Sequence, residues 1–162
     1  NKTTEIDVLL ICSKGLFVFE CKNYSGWIFG NEAQENWTQI LPKGRGRSHK
    51  EYFYNPIMQN ASHIMHLKNL VGKNVPMRSL IVFSDRGVLK DITVKSNDVS
   101  VINHYSIAHD VAQICNQIQT DIYTEIEIND IYKKLYPYSQ FDYEEKDRHI
   151  EHVRKKFVSQ AF

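Results

Sequence analysis

The chain has 162 residues, 42% hydrophobic and 24% charged, and a net charge of +1. That length suits one domain with its own core and a short appendage. The balanced charge excludes a global pull toward nucleic acid or anionic lipid, so such a partner must be met by a local patch. No apolar run approaches the roughly 18 residues of a membrane span, and no signal-peptide pattern is visible. Cys12, Cys21 and Cys115 lack metal-ligand spacing. Their odd, sparse count fits a reducing, cytoplasmic setting, and all three read as small core residues.

In chain order, IDVLLIC (6–12) and LFVFECK (16–22) flank the turn signal Ser13-Lys14-Gly15 and predict a β-hairpin. Both runs are apolar at nearly every position, which predicts central strands covered on each side. WIFG (27–30) and NWTQIL (36–41) predict two more strands, with Trp27 and Trp37 as packing residues. Residues 42–54, PKGRGRSHKEYFY, combine Pro, two Gly and a dense basic set, and predict a loop with its aromatic residues anchored to the core. Asn55-Pro56 is a helix start, and the helix 56–71 carries Ile57, Ala61, Ile64, Lys68 and Val71 on one stripe. SLIVFS (79–84) and VSVI (99–102) predict strands, Asp85-Arg86-Gly87 a turn, and 105–118 a helix. Beyond 123 the chain is polar and helical in pattern, broken at Pro137, with Ile150, Val153 and Phe157 as a last apolar stripe. This order predicts an α/β fold with a central mixed sheet and helices on both faces. Its domains are a core over 1–122 and a helical extension over 123–162. Both ends of the chain read as cut from a longer polypeptide with additional domains.

The hairpin gathers polar groups. With Lys14 and Gly15 as the loop, Asp7 lies opposite Lys22 and Leu9 opposite Glu20, so Asp7, Glu20 and Lys22 share a face. Val8, Leu10, Cys12, Phe17, Phe19 and Cys21 fall on the other, and Cys21 is expected to face the core. Two carboxylates held together at the end of buried strands repel and lose hydration, and a divalent cation relieves both penalties. Mg²⁺ takes oxygen ligands, typically one or two carboxylates with water and phosphate. The plain alternative is a structural salt bridge from Asp7 to Lys22, with Glu20 at a solvated strand end.

The ordered set Asp7, Gly15, Glu20-x-Lys22-Asn23-Tyr24, Gly26, Trp37, Asn55-Pro56 and Gln59 resembles the nuclease-related domain (NERD) family. That family belongs to the restriction-endonuclease-like superfamily with its D…(D/E)xK metal site. The resemblance covers about residues 3–72 strongly and the sheet pattern to about 118 more loosely. It implies Asp7 and Glu20 as ligands of Mg²⁺ or Mn²⁺, joined by the backbone carbonyl of Cys21. It also implies Lys22 as the catalytic lysine and Gln59 as a polar active-site group. The superfamily usually has a helix before the first catalytic strand, and this chain starts too late to contain it.

The basic stretch supplies Lys43, Arg45, Arg47 and Lys50 as candidate phosphate contacts. His63, one turn after Gln59, is a further candidate contact to DNA phosphate. The expected function is a Mg²⁺- or Mn²⁺-dependent deoxyribonuclease in DNA processing or defence. The alternative is an inactive or incomplete nuclease-fold module that binds nucleic acid or serves as an interaction domain.

Overall fold

The computed structural model describes residues 5–140. Its elements are β1 (Val8–Cys12), β2 (Gly15–Lys22), β3 (Gly26–Asn31), β4 (Asn36–Lys43), β5 (Arg47–Tyr54), α1 (Pro56–Val71), β6 (Met77–Phe83), β7 (Gly87–Thr93), β8 (Val99–Asn103), α2 (Ile107–Gln117) and α3 (Glu125–Ser139), with a 3₁₀ turn at His104–Ser106. Among the described residues, no helix is long and apolar enough to cross a membrane. The expected stripe at Ile150, Val153 and Phe157 lies outside the described residues.

The fold is α/β, as expected, but the strands form two mixed sheets instead of one. Sheet A has the order β1-β2-β6-β8 and sheet B the order β5-β4-β3-β7. In sheet A, β2 pairs antiparallel with β1 and parallel with β6. Both edges of β2 are therefore taken, and the chain leaving it continues into the second sheet. Gly26 makes the departure with φ 75, a left-handed value, at a point where any Cβ would strike the Ile40 carbonyl.

Helices cover both faces of sheet A. Leu16, Val18 and Met77 pack with Leu67 of α1 and with Tyr123, Ile131 and Leu135 around α3. Phe17, Phe19, Leu80 and Val82 pack with Ile107, Val111 and Ile114 of α2 on the other face. A third cluster, Ile28, Trp37, Ile57, Ile81 and Phe83, joins the two sheets. Within it the Trp37 and Phe83 rings lie near-parallel with centroids 6.2 Å apart. Gly30 is the reason Trp37 fits, since a side chain there would collide with the indole.

The sequence reading needs correction at several points. The hairpin loop is Ser13-Lys14, and Gly15 pairs with Cys12, so Val8 faces Phe19 and Leu9 faces Val18. The register is displaced by two residues from the expected one. An even slip leaves every side chain on its expected face, so Asp7 comes level with Glu20 instead of Lys22. β1 is an edge strand, and α2 does not reach its far end. Val8, Leu10 and Cys21 are exposed, while Cys12 and Cys115 are half-buried and Trp27 is exposed beside buried Trp37.

The expected basic loop contains strand β5, paired along its whole length with β4. An edge strand of this kind is held by backbone hydrogen bonds and needs few apolar side chains, so hydropathy is silent there. Phe53 anchors it by stacking on Tyr24 at 4.4 Å, while Tyr52 and Tyr54 point away, contrary to expectation. β7, the other edge of sheet B, is silent in hydropathy for the same reason. On α1 the buried residues are Pro56, Ile57, Asn60, His63 and Leu67; of the expected stripe Ile57 is buried, Ile64 and Val71 pack half-buried against the core, and Ala61 is exposed. Asn60 faces inward because its Nδ2 donates to the Val18 carbonyl (2.9 Å) and to Ser79 Oγ (2.8 Å), bonds that hydropathy cannot register.

Candidate active site

The site lies at the C-terminal end of β2, where α1 crosses sheet A. Residues 15–19 of β2 are fully buried, and Glu20, on the α1 face after Leu16 and Val18, is only 3% exposed. An isolated carboxylate could not remain charged there without partners. Lys22 Nζ donates to Glu20 Oε1 at 2.6 Å, and His63 Nε2 stands 3.3 Å from Glu20 Oε2. Burial pushes the Glu20 carboxyl up. Hydrogen bonding from His63 and Lys22, with the Lys22 charge, outweighs that and holds it below the usual range.

Lys22 is fixed from a second side. Its ammonium donates to Gln59 Oε1 at 2.9 Å. Gln59 reaches it because Asn55 starts α1 at a defined position: the Asn55 carboxamide oxygen accepts the Ile57 N–H at 2.9 Å, and Pro56 follows. Gln59 and His63 then project from successive turns of α1, one onto Lys22 and the other onto Glu20.

Asp7 enters from the other strand of the hairpin. β1 begins at Val8, so the backbone ladder has run out opposite Cys21. The Asp7 carboxylate fills that place, accepting the Cys21 N–H at 2.7 Å through Oδ2. Burial, then the charges of Asp7 and Glu20, push the Cys21 thiol up, so this exposed cysteine is not an activated nucleophile.

The structure thus joins Glu20, Lys22, Gln59 and His63 in one bonded cluster, with Asp7 tied to the backbone of the intervening Cys21. His63 belongs to this cluster and is buried, which corrects its expected placement on a DNA-facing surface. Its approach to Glu20 was not anticipated, although its i+4 spacing from Gln59 was the signal for it. Lys43, Arg45, Arg47 and Lys50 lie elsewhere, exposed on the β4–β5 hairpin of sheet B.

Were Asp7, Glu20 and the Cys21 carbonyl to hold a cation, an oxygen-only donor set of this kind would fit Mg²⁺ or Mn²⁺ and not a thiolate-seeking metal. Among the described residues no three side chains of His, Cys, Asp and Glu converge into a ready-made metal cluster. A site of the Mg²⁺ kind does not require one, because water and substrate phosphate complete it.

Comparison with known proteins agrees with this architecture. Residues 1–84 match the family described as nuclease-related domain. An uncharacterized protein of Bacillus anthracis is 31% identical over 159 residues, which are 98% of this chain and 70% of that relative. No solved structure gives a significant match.

Proposed function

Since the chain belongs to the nuclease-related domain family, we propose that it is a metal-dependent DNA nuclease domain that hydrolyses phosphodiester bonds, in DNA processing or defence. One observation carries this reading. A buried, ionised Glu20 shares its Lys22 partner with Gln59, and the Asp7 carboxylate is tied to the backbone of the intervening Cys21.

Asp7, Glu20 and the Cys21 carbonyl would hold Mg²⁺ or Mn²⁺, which when bound supplies Lewis-acid polarisation of the phosphodiester and lowers the pKa of water. Lys22 offsets the negative charge that grows on the phosphate oxygens, acting from a partly desolvated position where that charge interaction is strong. Gln59 Oε1 accepts one of its N–H hydrogen bonds and so fixes where the ammonium points. His63 and Lys22 keep Glu20 ionised in a setting that would otherwise favour its neutral form. No covalent enzyme intermediate is needed.

The test is degradation of plasmid DNA with Mn²⁺, with EDTA, and by Lys22→Ala. Cleavage should need the cation and fall about 10²- to 10³-fold in the variant. Equal degradation in all three would reject the proposal.

A second reading has one observation in its favour: both Glu20 oxygens are already engaged, by Lys22 and His63. A self-neutralised site of this kind suits a module that binds nucleic acid without cutting it. DNA binding with no cleavage under any of these conditions would select it.

A further inference from the structure

Sheet B has two dissimilar faces. Ile28, Trp37 and Gln39 are buried on one face, with Phe53 packed beside them. Cross-strand pairing aligns the other face in rows. One row runs Lys50, Ile40, Trp27, Val88, and the next runs Tyr52, Thr38, Phe29, Asp91, with Tyr54 beyond Tyr52 on β5. Trp27 is 41% exposed, Tyr52 66%, Tyr54 49% and Val88 47%. Large aromatic side chains rarely stand on the open face of a sheet without a partner.

Two of these rings, those of Trp27 and Tyr52, have a cation over them. Lys90 Nζ lies 5.4 Å from the Trp27 ring centre, and Lys50 Nζ lies 5.0 Å from that of Tyr52. A break in register between Ile28 and Phe29 leaves Lys90 as an extra residue on β7, which lets it reach back over Trp27. At the hairpin tip Arg45 continues the positive charge beyond Lys50, while the Lys43–Arg47 pair has the parity of the opposite face, and Asp91 is the acidic residue in these rows.

The strands that carry this face are joined by short chain segments to the strands that carry the proposed active site. β2 and β6 run parallel up to Lys22 and Phe83. The same two chain segments cross together into sheet B, tied by Ser84 N–H to the Lys22 carbonyl (2.9 Å) and Gly26 N–H to the Arg86 carbonyl (3.1 Å). They resume as β3 and β7 at Gly26 and Gly87, one residue before the Trp27–Val88 pair. Arg86 stands at this crossing and donates to Asn23 Oδ1 at 2.7 Å.

We propose that the outer face of sheet B, built on Trp27, Tyr52 and Tyr54 with Lys50 and Lys90, binds single-stranded nucleic acid by base stacking and presents it to the Glu20–Lys22 site. This deepens the nuclease reading and rests on it for the direction of delivery. A single strand is favoured over a duplex because a flat aromatic platform needs base faces, and those are hidden inside a double helix. It is favoured over a protein partner because Trp27 and Tyr52 each have a cation over the ring, the combination that a base and its phosphate together require. With strands about 4.8 Å apart and about 3.4 Å per residue, Trp27 and Tyr52 stand roughly 12 Å apart. Such a span calls for a run of nucleotides, not a single base.

The experiment titrates the full chain with a fifteen-nucleotide oligothymidylate in EDTA, which prevents cleavage, and with a blunt duplex of equal length. Exposed Trp27 should be quenched by the single strand while buried Trp37 is not. Trp27→Ala should abolish the quench and weaken binding about tenfold, and Tyr52→Ala should weaken it similarly. Lys50→Glu should weaken it with a shallower salt dependence. The inference is overturned if a Trp27→Ala/Tyr52→Ala protein with native circular dichroism binds within twofold of wild type, or if only the duplex binds. It is equally overturned if wild type sediments as a dimer that Trp27→Ala dissociates while no oligonucleotide binds. Platform-dependent binding without cleavage in Mn²⁺ sinks the nuclease reading alone. Cleavage in Mn²⁺ that ignores both aromatic variants sinks this inference alone.

Discussion

At the residue scale, Glu20 is ionised in a nearly dry position because Lys22 and His63 converge on its two oxygens. That arrangement ties stability to pH. The native carboxyl titrates below its ordinary value, so the folded chain binds its proton less readily than the unfolded one. Its contribution is complete above the ordinary carboxyl range and is lost as pH falls through the lower native value. Glu20→Gln should therefore lose about 2 kcal/mol at neutral pH, where Lys22 is left without its anion. The same variant should show a flatter decline on acidification than wild type. Urea titrations from pH 7 to pH 3 check both. Glu32, Asp121 and Glu127 are also held low, by hydrogen bonds to neighbours, so the difference between the two proteins is the informative quantity. Parallel curves would show that Glu20 is not held as described.

At the element scale, α1 is aimed by its first residue. Asn55 is fully buried, its oxygen capping Ile57 N–H and its Nδ2 donating to the carbonyls of Asn31 (3.3 Å), Glu32 (3.1 Å) and Gln34 (2.6 Å). One side chain thus fastens the helix to the β3–β4 turn and sets where Gln59 and His63 emerge. Asn55→Ala removes a cap and strands buried carbonyls, and should cost about 2–4 kcal/mol. Asn55→Asp keeps the cap but not the donors, so it should recover only part of that loss. Chemical denaturation of the two variants checks this. Recovery of full stability by Asp would mean that the cap is all Asn55 provides. The neighbouring α3 has its own capping box, Thr124 with Glu127, and docks through Ile131 and Leu135 independently of α1's start.

At the scale of the whole molecule, the two sheets share one core. Phe83 closes β6 in sheet A, yet its ring stacks on Trp37 and meets Phe53 edge-on, both from sheet B. Losing a fully buried aromatic at such a junction should cost about 3–5 kcal/mol. Phe83→Ala should then lower the melting point seen by Trp37 emission and by far-ultraviolet circular dichroism to the same extent. If Trp37 melts well before the bulk of the secondary structure, sheet B is an independent unit. The proposed delivery of a strand from sheet B to Lys22 would then lack a rigid link.

What the residues alone determined was local and parity-based. The β1–β2 turn and the alternation along LFVFECK were enough to put Asp7, Glu20 and Lys22 on one face, because faces survive a two-residue slip in register, while Gln59 came from the family resemblance. The family match, over residues 1–84, spans those positions. Only tertiary structure decided which inner positions are polar, since Asn60 and His63 are buried for hydrogen bonds and charge, not for hydropathy. It alone revealed β5 and β7, whose order comes from backbone pairing to neighbours distant in sequence. It also turned Trp27 and Tyr52 outward together, because the side that a sheet shows to water depends on which helix or sheet covers the other. No local pattern within either strand carries that information.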